Sequence, residues 1–109
     1  MSYIVVLVTS KDTAEAEKIA RSLVEKKLAA CCNIMKDVRS IYQWEGKMTE
    51  SSEALLVIKS RRDAFPSLER EIKALHSYKV PEIISLSILG GNEDYLKWLG
   101  TSVKTHSPG

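Results

Sequence analysis

Two extended stretches joined by a short turn constrain this chain more than any other feature. Residues 30–44 read as one long strand, Glu45-Gly46-Lys47 as a turn, and residues 53–60, with Ala54-Leu55-Leu56-Val57-Ile58 inside, as the returning strand. A fully extended 30–44 stretch spans about 50 Å at ~3.3 Å per residue, while the chain's first strand, residues 3–9, spans only about 23 Å. The hairpin therefore overhangs the sheet it joins, even if Lys36-Asp37 marks a bulge or bend. Overhanging strands leave N–H and C=O groups unpaired along their edges. Near the turn this one also carries Ile41, Tyr42 and Trp44. A second copy of the chain that pairs with the edge and buries the aromatics is the economical solution, so an obligate homo-oligomer is expected.

The remaining segments supply the sheet and its cover. The run Tyr3-Ile4-Val5-Val6-Leu7-Val8, ending at Thr9, is apolar on both faces and reads as a central strand. Asp12 caps a helix, with Glu15 completing a capping-box pattern, and Ala16, Ile19, Ala20, Leu23 and Val24 form its apolar face up to Lys26-Lys27. Asp63 is expected to cap a second helix carrying Phe65, Leu68, Ile72 and Leu75 on one face, with Pro66 in the first turn. After Pro81, residues 83–89 read as the last strand, with Ile84, Leu86 and Ile88 on its apolar side, and Gly90-Gly91 break it. Asn92 caps a short terminal helix in which Tyr95, Leu96 and Leu99 are expected to face inward. The order β-α-β-β-α-β predicts an α+β, ferredoxin-like sandwich with an added C-terminal helix and a long β2–β3 hairpin. Residues 1–104 are expected to form a single domain. Thr105 to Gly109 show no apolar periodicity and are expected to fray.

Composition narrows the function classes. Sixteen Lys+Arg against 14 Asp+Glu give a net charge of +2, too small for an electrostatic nucleic-acid binder. No run approaches the ~20 apolar residues of a membrane span, and the first strand lacks the basic flank and cleavage site of a signal peptide. Cys31 and Cys32 are neighbours, so on a strand they point to opposite faces and neither bond each other readily nor share one ion. No disulfide framework is present, which fits a reducing, cytoplasmic setting.

Several side chains bear chemistry. His76, Tyr78 and Glu82 fall on one short loop, and imidazole with carboxylate suits a borderline divalent metal or an acid–base pair. The plainer reading of His76 is a helix-end histidine that complements the dipole when protonated. Cys31 and Cys32 also read as small half-buried hydrophobes, and Lys59 either snorkels from a strand end or charges a cleft. No phosphate loop, zinc-helix motif or nucleophile elbow occurs, nor does any nucleophile–base–orienter set, so no enzyme is expected.

The segments Leu28-Ala29-Ala30-Cys31-Cys32-Asn33-Ile34, Ser40-Ile41-Tyr42-Gln43-Trp44-Glu45-Gly46-Lys47 and Leu55-Leu56-Val57-Ile58-Lys59-Ser60 resemble the CutA family of divalent-cation tolerance proteins. So do the loop His76-Ser77-Tyr78-Lys79-Val80-Pro81-Glu82-Ile83-Ile84 and the stretch Tyr95-Leu96-Lys97-Trp98. The resemblance implies a ferredoxin-like protomer, close in architecture to PII signalling proteins, assembled as a trimer through the long hairpins. It also implies a link to tolerance of copper and other divalent cations. It transfers no catalytic residues. The chain departs from the family's usual pattern at Cys32, Lys36, Ser77, Lys79 and Ser87, and Lys79 sets a cation near His76.

The leading expectation is thus a cytoplasmic CutA-like homotrimer that needs no cofactor and binds copper or another divalent cation, with His76, Cys31 and Glu82 as candidate ligands. The rival expectations are a PII-like module holding a small anion or nucleotide between subunits, near Tyr42, Trp44, Lys59 and Tyr78, and a trimeric structural adaptor. No nucleic acid or membrane partner is expected.

Overall fold

A type I′ turn sets the geometry of the long hairpin. Glu45 and Gly46 both have positive φ, 52° and 78°, and this turn pairs Trp44 directly with Lys47. The two strands it joins are β2, Cys31–Trp44, and β3, Lys47–Arg61. β3 starts well before the expected residue 53 because its polar first half lies beyond the core, where no apolar alternation is needed. Asp37, at φ 58°, marks a register shift between Met35 and Val38, the bulge that Lys36-Asp37 suggested.

The computed structural model describes residues 2–104, so the expected fraying of 105–109 lies outside the described residues. The other elements are β1 (Tyr3–Ser10), α1 (Thr13–Glu25), a 3-10 turn (Arg62–Ala64), α2 (Phe65–Leu75), β4 (Ile83–Ser87) and α3 (Glu93–Ser102). One antiparallel sheet runs in the order β2-β3-β1-β4. β1 is central, as its two apolar faces predicted, and the whole is the expected α+β ferredoxin-like arrangement.

Register shows the overhang. β1 pairs with β3 only from Ala54 to Arg61, so residues 47–53 of β3 pair with β2 alone. The Cα radius of gyration, 14.5 Å, exceeds the ~13 Å of a compact chain of about 100 residues.

α1 and α2 cover one face of the sheet. Ile4, Val6 and Val8 of β1 and Leu56 and Ile58 of β3 are buried with Ile19 and Leu23 of α1 and Leu68 and Ile72 of α2. Val24 stays exposed, so the buried stripe of α1 is narrower than its sequence pattern. Glu71 of α2 ties the helices together by accepting from Ser22 Oγ at 2.6 Å and Lys26 Nζ at 2.8 Å.

A second, smaller cluster of Ala64, Leu99 and Val103 seats α3, with Tyr3, Ala30 and Ile88 against it. Arg61 clasps this corner. Its Nη1 donates to the Gly100 carbonyl at 2.9 Å, while Nε and Nη2 donate to Asp63 at 3.0 and 2.8 Å. Asp63 is therefore not the helix cap expected from sequence. Ala64 occupies the N-cap of α2 with no side-chain cap, because the carboxylate is taken by arginine.

β4 stops at Ser87, two residues earlier than expected, and Ile84 and Leu86 are half exposed at 49% and 50%. They lie on the sheet face opposite α1 and α2, which α3 covers only at its Tyr3 and Arg61 end and which is otherwise uncovered among the described residues. Tyr95 is likewise exposed, stacked beside Trp98 with ring centroids 5.5 Å apart instead of facing inward.

The uncovered face is laid out in rows across the strands. One row runs Cys31, Lys59, Val5, Leu86, and the next runs Asn33, Val57, Leu7, Ile84. Apolar side chains dominate both, and α1 and α2 lie on the opposite face of the sheet.

Candidate functional site

The loop after α2 is anchored at the end of β1. His76 is the C-cap of α2, and its main-chain N–H donates to the Ile72 carbonyl. Its Nε2 lies 2.7 Å from the Thr9 carbonyl, and its Nδ1 lies 3.0 Å from the main-chain N of Tyr78. A carbonyl only accepts and an amide N–H only donates. The ring is therefore the neutral Nε2–H tautomer with both nitrogens engaged. Its side chain is fully buried. The expected dipole-complementing cation is replaced by a neutral clamp between β1 and its own loop.

Glu15 explains part of this diversion. Asp12 accepts from the Glu15 N–H at 2.8 Å, so the N-cap forms as predicted. The reciprocal half of the capping box does not form. The Glu15 carboxylate instead turns toward the loop, where Oε2 accepts from the Ser77 N–H at 3.1 Å and Oε1 lies 3.7 Å from His76 Nδ1. Its side chain is only 8% exposed, and Oε1 is buried without a hydrogen-bond partner.

Tyr78 extends the cluster to the base of the hairpin. Its ring packs on His76 with centroids 4.9 Å apart, and its hydroxyl donates to Glu53 Oε2 at 2.8 Å. Desolvation of the phenol, the hydrogen bond to Glu53, and the nearby charges of Glu53, Tyr42 and Glu15 push its pKa up to about 12. The Tyr42 hydroxyl in turn accepts from Ser51 Oγ at 3.3 Å. Glu15 and Glu53 were missed as members of this site. Their sequence positions mark Glu15 as part of a helix cap and Glu53 as the start of a strand, and only the fold brings them to Tyr78.

The residues expected to form an inter-subunit cleft separate into three places. Tyr42 and Tyr78 share the surroundings of Glu53. Trp44 is exposed at the hairpin tip. Lys59 donates to Asn33 Oδ1 on the uncovered face, six residues along β3 from Glu53 and so about 20 Å away.

The candidate metal ligands do not converge within one chain. Cys31 stands in the row of Val5, whereas His76 reaches the carbonyl of Thr9, about 13 Å further along β1. Glu82 is exposed just before β4. Among the described residues no group of three His, Cys, Asp or Glu side chains could hold an ion. A metal needs a free lone pair, and both nitrogens of His76 are occupied, so these three residues do not fit one ion in a single subunit.

The adjacent thiols diverge as strand geometry requires. Cys32 registers with buried Ile58 and packs against the core, where desolvation, and to a lesser degree Cys31, push its pKa up to about 12 despite the opposing charge of Lys59. Its thiol is held protonated and is a poor ligand at neutral pH. Cys31 faces the uncovered side, opposite Lys59, with Sγ 3.9 Å from Asn33 Oδ1.

Comparison with known proteins gives consistent matches. The family profile described as CutA1 divalent ion tolerance protein matches residues 4–102. The chain is 50% identical over 95 residues to the divalent-cation tolerance protein CutA of Thermus thermophilus, covering 87% of this chain and 92% of that one. It is 46% identical over 101 residues to the chloroplastic protein CutA of Arabidopsis thaliana, covering 93% of this chain and 56% of that longer protein. The crystal structure of CutA1 from Oryza sativa superposes with a TM-score of 0.94 at 42% identity, covering 97% of each chain.

Proposed function

Because this chain belongs to the CutA1 family of divalent ion tolerance proteins, we propose that it acts in divalent-cation tolerance as a homotrimer joined through its uncovered sheet face. On this reading it takes up copper or a similar divalent cation at ligands drawn from more than one subunit. The observation that carries the reading is the pair of apolar rows across that face, ending in half-exposed Ile84 and Leu86. Covering apolar surface stabilises an assembly by roughly 25 cal/mol per Å². β2 and β4 are the free edges on opposite sides of the sheet, and joining unlike edges is a head-to-tail contact that closes into a ring. Three is the ring size that the family resemblance implies.

Cys31 lies on the same face and is the soft donor that assembly would carry into an interface. His76 is committed to its own subunit by two hydrogen bonds. A copper titration of the wild type, Cys31→Ser and His76→Ala tests this assignment. Weakening of at least about tenfold in Cys31→Ser, with affinity retained in His76→Ala, is expected for a thiolate ligand and a structural imidazole. Equal affinity in wild type and Cys31→Ser overturns it.

The role is non-enzymatic and requires no resident cofactor. Two free cysteines suit the reducing cytoplasm that we propose as the compartment. No helix among the described residues is long and apolar enough to cross a membrane.

A further inference from the structure

Ser85 and Ser87 occupy positions of β4 where a strand beneath helices ordinarily carries apolar side chains. Their cross-strand partners are Val6 and Ile4, both in the core, yet the two serines are exposed. Of the apolar residues of β4, Ile83 packs against the core, while Ile84 and Leu86 point the other way. The two serines border a groove of about 450 Å³ beside the start of α2, lined by Ile4, Arg62, Phe65, Pro66, Ser85 and Ser87. That volume lies in the range of small-molecule sites, roughly 300–1,000 Å³.

The polar groups of this groove are uncommitted. Arg61, next in sequence, is consumed by Asp63 and Gly100. Arg62 is exposed, and among the described residues no hydrogen bond or ion pair engages its guanidinium or the hydroxyls of Ser85 and Ser87. One cationic fork and two hydroxyls thus border the same cavity as three apolar side chains. A guanidinium matches a carboxylate or phosphate through paired N–H donors, and hydroxyls complete the coordination of such an oxyanion.

We propose that this groove binds a small organic anion, its oxyanion held by Arg62, Ser85 and Ser87 and its apolar part seated on Ile4, Phe65 and Pro66. The groove opens on the helix side of β4, opposite the face assigned to assembly. The groove's lining comes from one subunit and shares no residue with the metal ligands, although β4 is also an edge that assembly would use.

Amide chemical-shift titrations of the full chain with phenyl phosphate, benzoate and inorganic phosphate, at constant ionic strength, test the proposal. Saturable shifts confined to residues 62–67 and 85–88 are expected with at least one aromatic anion, bound about tenfold or more tighter than inorganic phosphate. The tighter of phenyl phosphate and benzoate identifies the anion class. Arg62→Ala should weaken binding about tenfold or more, and Arg62→Lys, which keeps the charge but not the fork, should fall between. The double variant Ser85→Ala/Ser87→Ala should weaken binding while leaving the remaining amide spectrum in place. Absence of saturable shifts with both aromatic anions, equal affinity for inorganic phosphate, or affinity unchanged in Arg62→Ala overturns the proposal.

Discussion

The imidazole of His76 donates from Nε2 to the main-chain carbonyl of Thr9 across 2.7 Å, and its other nitrogen accepts the Tyr78 N–H at 3.0 Å. One side chain thus pins the loop after α2 to the end of β1. Removing it as His76→Ala strands a carbonyl and an amide and opens a gap beneath Tyr78. The expected cost is about 2–3 kcal/mol. Urea unfolding measures it, with protein concentration held fixed because an oligomer's stability depends on it. A cost under about 0.5 kcal/mol would show that the ring does not hold the loop.

The phenol of Tyr78 gives this loop an alkaline signature. Its pKa rises from 10.0 to about 12 in the folded protein, so between those values the native state keeps a proton that the unfolded chain has lost. The stabilisation is complete below pH 10 and disappears as pH climbs through about 12. Tyr78→Phe should flatten that decline, and ultraviolet titration of phenolate should lose its latest-ionising tyrosine. A Tyr78→Phe protein with the wild-type alkaline profile contradicts the assignment.

The two thiols should differ in accessibility. Cys32 is packed against the core and its thiol is pushed up to about 12, so alkylation near neutral pH should leave it unmodified until the protein unfolds. Cys31 lies on the uncovered face and should be shielded by assembly, reacting faster when the protein is diluted below the dissociation constant of the oligomer. Mass spectrometry of partially alkylated peptides reads both. Rapid native labelling of Cys32 contradicts its placement.

Local sequence rules recovered those elements whose side chains had no competing partner. Asp12 and Asn92 cap their helices because the neighbouring N–H groups, Glu15 and Tyr95, are the nearest available donors. Gly46 and the bulge at Asp37 follow from backbone φ alone. The failures came where a distant group competed. Asp63 is drawn from the helix start by the Arg61 guanidinium, and Glu15 is drawn from its capping box by Ser77. The candidate site was half legible for the same reason. The motif loop marks His76 and Tyr78, but adjacency cannot show that Glu15 and Glu53, 62 residues before Ser77 and 25 before Tyr78, close around them. Three metal-bearing residue types on a sequence map are not three ligands in space, as the separation of Cys31 from His76 shows.

Arg61 should matter chiefly to the C-terminal helix. Its side chain is 10% exposed and bridges Asp63 and the Gly100 carbonyl. Arg61→Met keeps the apolar stem and removes the donors, leaving that carbonyl unpaired. A loss of about 2–3 kcal/mol is expected, with hydrogen-exchange protection falling first in α3. A uniform loss of protection across the sheet, with none specific to α3, contradicts the clasp.

Native mass spectrometry of the full chain, without and with excess copper, tests assembly and metal uptake in a single spectrum. The expected species contains three chains of 12.2 kDa and gains copper, and Cys31→Ser keeps the trimer while losing metal. A 12.2 kDa monomer at micromolar concentration, or a trimer that stays metal-free in excess copper, contradicts the proposed function.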